Sequence, residues 1–197
     1  MKNVVKNVVD ELRFSVVITL LLLVLCCGVY PLVVWAIGQG LSSDKANGSL
    51  VIVDGKVMGS TLLAQGFSGA AYFHPRPSAA GQGYDAANSS GTNLGPTSKK
   101  LIDSVRQRVA DYREENGLPE NAPVPADAAT ASASGLDPHI SVDNARLQAG
   151  RVAKARGVPK EEILRRIAVH TEARSLMILG EPRVNVLMVN LSLDGKM

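Results

Sequence analysis

Hydrophobic and polar positions are distributed very unevenly along this chain. Residues 14–37, FSVVITLLLLVLCCGVYPLVVWAI, are 24 consecutive positions without a formal charge. As a helix rising 1.5 Å per residue, the run reaches about 36 Å, against about 30 Å of bilayer hydrocarbon. Ser15 and Thr19 are its clearly polar members, and each can bond back to a carbonyl of its own helix. Pro31 removes one backbone donor and predicts a kink. Tyr30 and Trp35 fall toward the C-terminal end, where amphipathic rings favour the headgroup region. The pattern predicts one membrane-spanning helix. A cleaved signal peptide has an apolar core of only about 7–15 residues. A lipoprotein reading is weaker, because Cys26 follows Leu25 and Cys27 is followed by ten more uncharged positions. A buried soluble helix would show a polar stripe, and this run has none.

After the span the period changes. Residues 38–49 are rich in Gly, Ser and Asn and read as a linker, with 50–197 as the following domain. Leu50–Val53 and Lys56–Met58 flank Asp54-Gly55, which predicts a β-hairpin. Tyr72-Phe73-His74-Pro75-Arg76-Pro77 must be extended or turned at its prolines. Residues 79–97 are Gly, Asn and small side chains, long for a structureless loop and so functional or disordered. Thr97-Ser98 caps a helix from Lys99 to about Asn116, stopped by Gly117, with Leu101, Ile102, Val105, Val109 and Tyr112 on one face. Residues 120–134 read as an extended connection and 135–141 as a turn. Ser141 or Asp143 caps a helix over about 144–156 that ends at Gly157. Pro159 opens another, with Glu161 and Glu162 suiting its dipole. Val184–Leu191, VNVLMVNL, reads as a strand from its β-branching and length. The expected fold is α+β: one N-terminal transmembrane helix, then a domain of about three helices and a small antiparallel sheet.

Charge adds orientation. Lys2, Lys6 and Arg13 precede the span, whereas only Lys45 and Lys56 follow within twenty residues. Positive residues stay cytoplasmic. The tail, residues 1–13, is therefore expected on the cytoplasmic side and the domain outside; a bacterial inner (plasma) membrane, with the domain in the periplasm, suits a domain without cysteines. The formal net charge of +3 leaves the domain near neutral, which gives no support to nucleic-acid binding. Both cysteines lie inside the span, so the domain folds without disulfides and no zinc-ligand spacing exists.

The chain carries no recognisable catalytic pattern. His74, His139 and His170 could serve as bases, but no Gly-x-Ser-x-Gly elbow occurs. Asp137-Pro138-His139 sets an acid beside a base, yet sequence neighbours rarely form such a pair. Neither Gly-x-x-x-x-Gly-Lys-Ser/Thr nor Gly-x-Gly-x-x-Gly is present. Arg146, Arg151, Lys154 and Arg156 form a basic cluster along one helix, extended by Arg165-Arg166. It reads as a solvated face, or alternatively as a site for phosphate or an acidic partner. No catalytic residue and no metal site are expected.

Several stretches together resemble one family. They are Gly28-Val29-Tyr30-Pro31-Leu32, Ala46-Asn47-Gly48-Ser49-Leu50, Tyr72-Phe73-His74-Pro75-Arg76-Pro77-Ser78-Ala79 and Ser90-Gly91-Thr92-Asn93-Leu94-Gly95. The most specific are Thr130 to Ser141 (TASASGLDPHIS), Arg151 to Arg156 (RVAKAR) and Gly180 to Leu187 (GEPRVNVL). In this order they resemble the C subunit of the bacterial Kdp-type potassium-transporting ATPase. One departure is Ser89-Ser90-Gly91, where the family often has Ser-Gly-Gly, which puts the backbone angle of that loop in question.

The resemblance implies a non-catalytic accessory subunit of an ATP-driven potassium importer. It would assemble and stabilise a complex with a potassium-conducting subunit, an ATP-hydrolysing P-type subunit and a small membrane subunit. Asp-Lys-Thr-Gly-Thr, the motif of the phosphorylated Asp, is absent here. The resemblance also carries an alternative, a catalytic chaperone that raises the ATP affinity of the hydrolysing subunit through a transient ternary complex. That role implies a nucleotide contact, for which Gln148 and Arg151 are the candidates. No cofactor is expected to bind firmly, and ATP only through the complex. A third reading, a gate over the ion entrance, would want acidic clusters.

Overall fold

The computed structural model describes residues 2–196. Met1 and Met197, the outer ends of the expected tail and domain, lie outside the described residues. The chain divides into two compact units, Met1–Ser49 and Leu50–Met197.

The first unit is helical almost throughout. α1 (Lys2–Leu23) passes through a π-helical segment, Val24–Val29, into α2 (Tyr30–Ala46). The wide turn has a local cause. Pro31 cannot donate, and its ring would collide with the carbonyl four residues earlier. A π turn just ahead of it takes up both defects without breaking the helix. Tyr30 N–H accordingly reaches back to the Leu25 carbonyl. Ser15 Oγ donates to the Glu11 carbonyl at 2.8 Å and Thr19 Oγ1 to the Ser15 carbonyl at 2.7 Å, the back-bonding expected of polar groups in lipid. Helix continues through residues 38–46, where the sequence suggests a linker, with one non-helical residue at Ser42. Lys6–Ala46 has a mean hydropathy window of 2.7, so the length and composition suit a membrane crossing.

The second unit is α+β. Its hairpin, β1 (Leu50–Val53) and β2 (Lys56–Ser60), turns at Asp54 and Gly55, both with positive φ, the geometry that matches strand twist in a two-residue turn. A three-stranded antiparallel sheet has the order β3-β5-β4, formed by His139–Ser141, Arg183–Asn185 and Thr171–Glu172. Its register pairs Ile140 with Val184, and Thr171 with Val184 on the other side. Helices α3 (Lys99–Glu115), α5 (Val142–Arg156), α6 (Lys160–Val169) and α7 (Val186–Leu193) surround it, with one turn, α4 (Ala126–Ala129), inside the stretch expected to be extended. Ser98 caps α3 and Ser141 caps α5, each accepting from the backbone N–H three residues on. Gly157 ends α5 in the left-handed conformation.

The core gathers Phe73, Ile140, Val152, Ile163, Ile167, Val184, Val186 and Val189. Ala145 and Ala149 let α5 approach closely, and both are fully buried. Residues 79–97 hold no helix or strand but are pinned. Ser78 Oγ donates to the Gly135 carbonyl at 2.6 Å, Ser89 Oγ to the Ser134 carbonyl at 2.9 Å, and Ser90 N–H to the Ser134 carbonyl at 3.0 Å. Ser90 has no positive φ, so the family's missing Gly creates no strain there; the left-handed non-glycines of this loop are Tyr84 and Asn93.

One element corrects the sequence reading. Val184–Leu191 is not a strand: β5 stops at Asn185 and α7 follows. Asn185 is an N-cap whose side chain accepts from Met188 N–H at 3.2 Å. β-branching suits a half-buried pleated surface, but this run is buried nearly all round, which a core helix satisfies equally.

Candidate functional site: the polar cluster at Gln148 and Arg151

The two nucleotide candidates come together. Both project from α5, and Arg151 Nη2 donates to Gln148 Oε1 at 2.9 Å. Around them the chain has buried a connected set of polar side chains. Asn144, Gln148 and Val152 recur every fourth residue, so two amides share the face of α5 that also supplies core valine. Burying such groups is tolerable only when their hydrogen bonds are met inside.

They are met by a segment with few partners of its own. Residues 69–72 turn, with Tyr72 N–H donating to the Gly69 carbonyl at 3.0 Å, and 73–77 continue past α5 and α7 without helix or strand, Pro75 and Pro77 being unable to donate. Gln148 Oε1 accepts from His74 N–H at 2.7 Å, and Gln148 Nε2 donates to the His74 carbonyl at 3.1 Å. From α7, Asn190 does the same one residue earlier. Its Oδ1 accepts from Phe73 N–H at 2.8 Å and its Nδ2 donates to the Phe73 carbonyl at 3.0 Å. Two carboxamides therefore replace a sheet ladder for residues 73 and 74.

The arginines hold the preceding carbonyls. Arg151 Nη1 donates to the Ala70 and Tyr72 carbonyls at 2.8 and 3.0 Å, while its Nε donates to Asn116 Oδ1 at 3.1 Å. Arg156 Nε donates to the Ala71 carbonyl at 2.7 Å, and its Nη2 pairs with Asp194 at 2.9 Å. The Arg156 guanidinium also lies 4.9 Å from the centre of the Tyr72 ring. Arg146 and Lys154, by contrast, point outward. The basic cluster thus splits into two cations committed to the main chain and two that face solvent.

The network extends through Asn144, whose Oδ1 accepts from Gln148 Nε2 and Tyr112 Oη, both at 2.8 Å, and whose Nδ2 donates to Asp127 at 2.9 Å. Burial, reinforced by Asp127, pushes the Tyr112 hydroxyl well above its ordinary value, so it stays a donor. His74 lies between Glu115, 2.8 Å from Nδ1, and the Gly69 carbonyl, 3.0 Å from Nε2. Burial and the nearby Arg151 charge hold the imidazole below its ordinary value against those two acceptors. Burial also lowers Arg151.

What the arrangement does chemically is hold the chain. Gln148 is 1% exposed and the Arg151 side chain 7%, and their polar atoms are aimed at protein. Beside them opens a crevice of about 290 Å³, lined by His74, Tyr84, Arg108, Asp111, Glu115 and Gln148. His139 is placed separately, between Asp137 and Glu172 at the sheet edge. Burial works against ionisation of Asp137, but hydrogen bonds from His139 and Arg76 outweigh it and bring its carboxyl down to about 2. Among the described residues no three His, Cys, Asp or Glu side chains are grouped to hold a metal ion. Sequence reasoning missed the roles of Asn190 and Asn144 and read Tyr112 only as part of an apolar helix face. Asn190 was detectable as a polar residue inside the apolar run 184–191.

These features define a class: a chain with one long apolar helix of membrane-crossing length and an α+β domain whose buried polar side chains bond its own main chain. The family model described as "K+-transporting ATPase, c chain" matches residues 12–195. A protein of Mycobacterium tuberculosis named potassium-transporting ATPase KdpC subunit is 57% identical over 166 residues, covering 84% of this chain and 88% of its own length. Its namesakes in Nitratidesulfovibrio vulgaris and Koribacter versatilis are 53% and 49% identical, each over more than nine-tenths of both chains. The chain belongs to the KdpC family of potassium-transporting ATPase subunits.

Proposed function

We propose that this chain is the assembly subunit of an ATP-driven potassium importer, acting through contact rather than chemistry. Its anchor sits among the membrane helices of the complex. Its domain stands on the periplasmic side, as the basic residues of the N-terminal tail favour, and stabilises the potassium-conducting and ATP-hydrolysing subunits against each other. The observation that carries the reading is the commitment of Gln148, Asn190, Arg151 and Arg156 to the main chain of residues 70–74. The residues best suited to bind or catalyse are occupied in building a rigid body. The test is deletion of this chain beside its intact partner genes. Loss of co-purification of the conducting and hydrolysing subunits, with loss of potassium uptake, is the expected result; an intact, transporting complex overturns it.

A second reading, the chaperone that raises ATP affinity, draws on the crevice beside Gln148. Nucleotide contact with Gln148 and Arg151 themselves requires residues 69–74 to leave. It calls for measurable ATP binding by the full chain in detergent, and a flat titration ends it.

A further inference from the structure

The crevice beside Gln148 holds a histidine whose two ring nitrogens meet competing demands. His74 Nδ1 lies 2.8 Å from Glu115 Oε1 and Nε2 lies 3.0 Å from the Gly69 carbonyl, so both nitrogens face acceptors. A neutral imidazole has one N–H to give. Glu115 carries a full charge and sits closer, so the proton belongs on Nδ1. Nε2 is then a bare acceptor, and Arg151 Nη1 stands 3.5 Å from it as a donor. That same Nη1 donates to the Ala70 and Tyr72 carbonyls at 2.8 and 3.0 Å. One nitrogen of Arg151 therefore ties the turn at residues 69–72 to the neutral form of His74.

A second proton changes each of these contacts. Nε2 becomes a donor with the Gly69 carbonyl before it, and Arg151 Nη1 is left facing an N–H. The charge balance turns as well. Glu115 answers Arg151, whose Nε is 3.6 Å away, with one anion to one cation. The imidazolium makes this two cations to one anion. The Arg151 side chain is 7% exposed and that of His74 21%, so water screens the excess poorly. The other groups lining the crevice do not restore the balance. From α3, Asp111 accepts from Gln107 at 2.7 Å, Arg108 has the opposite sign and donates to the Ala129 carbonyl at 3.4 Å, and Tyr112 stays neutral. Burial likewise keeps Tyr84 neutral, and α7 faces Phe73 with the uncharged Asn190. Burial and Arg151 oppose the imidazolium more than Gly69 and Glu115 favour it.

We propose that His74 is an acid-operated latch on the turn at residues 69–72: the neutral ring lets Arg151 hold the turn, and the imidazolium drives Arg151 off the Ala70 and Tyr72 carbonyls. Release stops at residue 73, because Phe73 is fully buried in the core and bonded at both backbone groups by Asn190. What opens is the Arg151 side of the crevice, next to the exposed Gly69 and Ala70. The latch works within this chain alone and goes beyond the assembly role, whose failure would leave it intact.

Residue-resolved hydrogen exchange of the full chain in detergent, at about pH 7.5 and about pH 5, tests it once rates are expressed as protection factors free of the intrinsic pH dependence. The reporter is Tyr72 N–H, which closes the turn on the Gly69 carbonyl at 3.0 Å. Its protection should fall about fivefold or more on acidification, with a smaller change at Ile140 and Val184 in the sheet. His74→Gln cannot titrate and should abolish the fall. His170→Gln removes the other histidine held below its ordinary value and should keep the fall in full. Flat protection in the wild type, a gain on acidification, a loss shared evenly across the domain, or an equal loss in His74→Gln overturns the proposal. So does disappearance of the fall in His170→Gln, a comparison that remains readable if His74→Gln does not fold.

Discussion

Gln148→Leu tests the clamp most sharply, because it keeps the volume and removes only polarity. In the wild type Gln148 satisfies His74 N–H and the His74 carbonyl, and also bonds Asn144 and Arg151. The leucine strands two part-buried backbone groups. A fully buried group costs about 1–3 kcal/mol when left without a partner, so the variant should lose up to about 6 kcal/mol, with about 2 kcal/mol as the floor. Against a total stability of about 5–15 kcal/mol this is a large fraction. The loss should concentrate where the clamp acts. Hydrogen exchange of residues 69–77 in the full chain should quicken by about 30-fold or more, since about 1.4 kcal/mol corresponds to a factor of ten. Gln148→Glu retains the acceptor for His74 N–H and Arg151, and should fall between wild type and leucine. If Gln148→Leu leaves both the melting temperature and the exchange of residues 69–77 unchanged, the clamp contributes nothing and the polar cluster must be explained by a ligand.

Other substitutions and conditions probe separate parts of the account. Gly135 has φ of 70°, and a Cβ there would come within 2.7 Å of Ala80 Cβ and the Ser90 carbonyl. Gly135→Ala should cost about 2–4 kcal/mol in chemical denaturation, whereas Gly55→Ala, at φ of 75° in open space, should cost about 1 kcal/mol; equal costs would show that the close packing is not felt. Asn185→Ala removes the α7 cap and the bond to the Thr61 carbonyl at 2.8 Å, and should lose about 1–3 kcal/mol by the same measurement. Acid should destabilise the domain in two stages. His74 and His170 are held below their ordinary 6.5, by burial and by Arg151 and Arg166 respectively, so the unfolded chain binds their protons first. Their contribution is complete above pH 6.5 and fades as pH falls toward the folded values. Asp137 contributes above its unfolded value of 3.8 and loses that contribution as pH falls through about 2. A melting temperature flat with pH below neutrality contradicts this.

The parts of the fold readable from sequence are those whose cause is local. Asp54-Gly55 announces its turn, Ser98 and Ser141 announce their helices, and Gly157 announces a stop, because each signal acts within four residues. The run 184–191 misleads for the opposite reason. Its β-branched residues answer to burial on all sides, a tertiary fact, while the decisive local cue, the cap at Asn185, lies inside the apolar stretch. The polar cluster is the least legible. Gln148 holds His74 from 74 residues away, and Asn190 holds Phe73 from 117 residues away. Composition can mark an amide on an apolar helix face as unusual, but it cannot name the backbone that amide will meet. Gln148 and Arg151, the nucleotide candidates that the resemblance implies, bond in the fold to the main chain of residues 70–74.

The proposed assembly role requires the domain to lie on the periplasmic side, away from cytoplasmic ATP. The domain has no cysteine of its own, so with Cys26 and Cys27 replaced by serine a single Lys99→Cys is a clean reporter at a side chain 90% exposed. A maleimide that cannot cross the inner membrane should label it fully in intact cells. Labelling that appears only after the inner membrane is disrupted places the domain with the nucleotide, and contradicts the account.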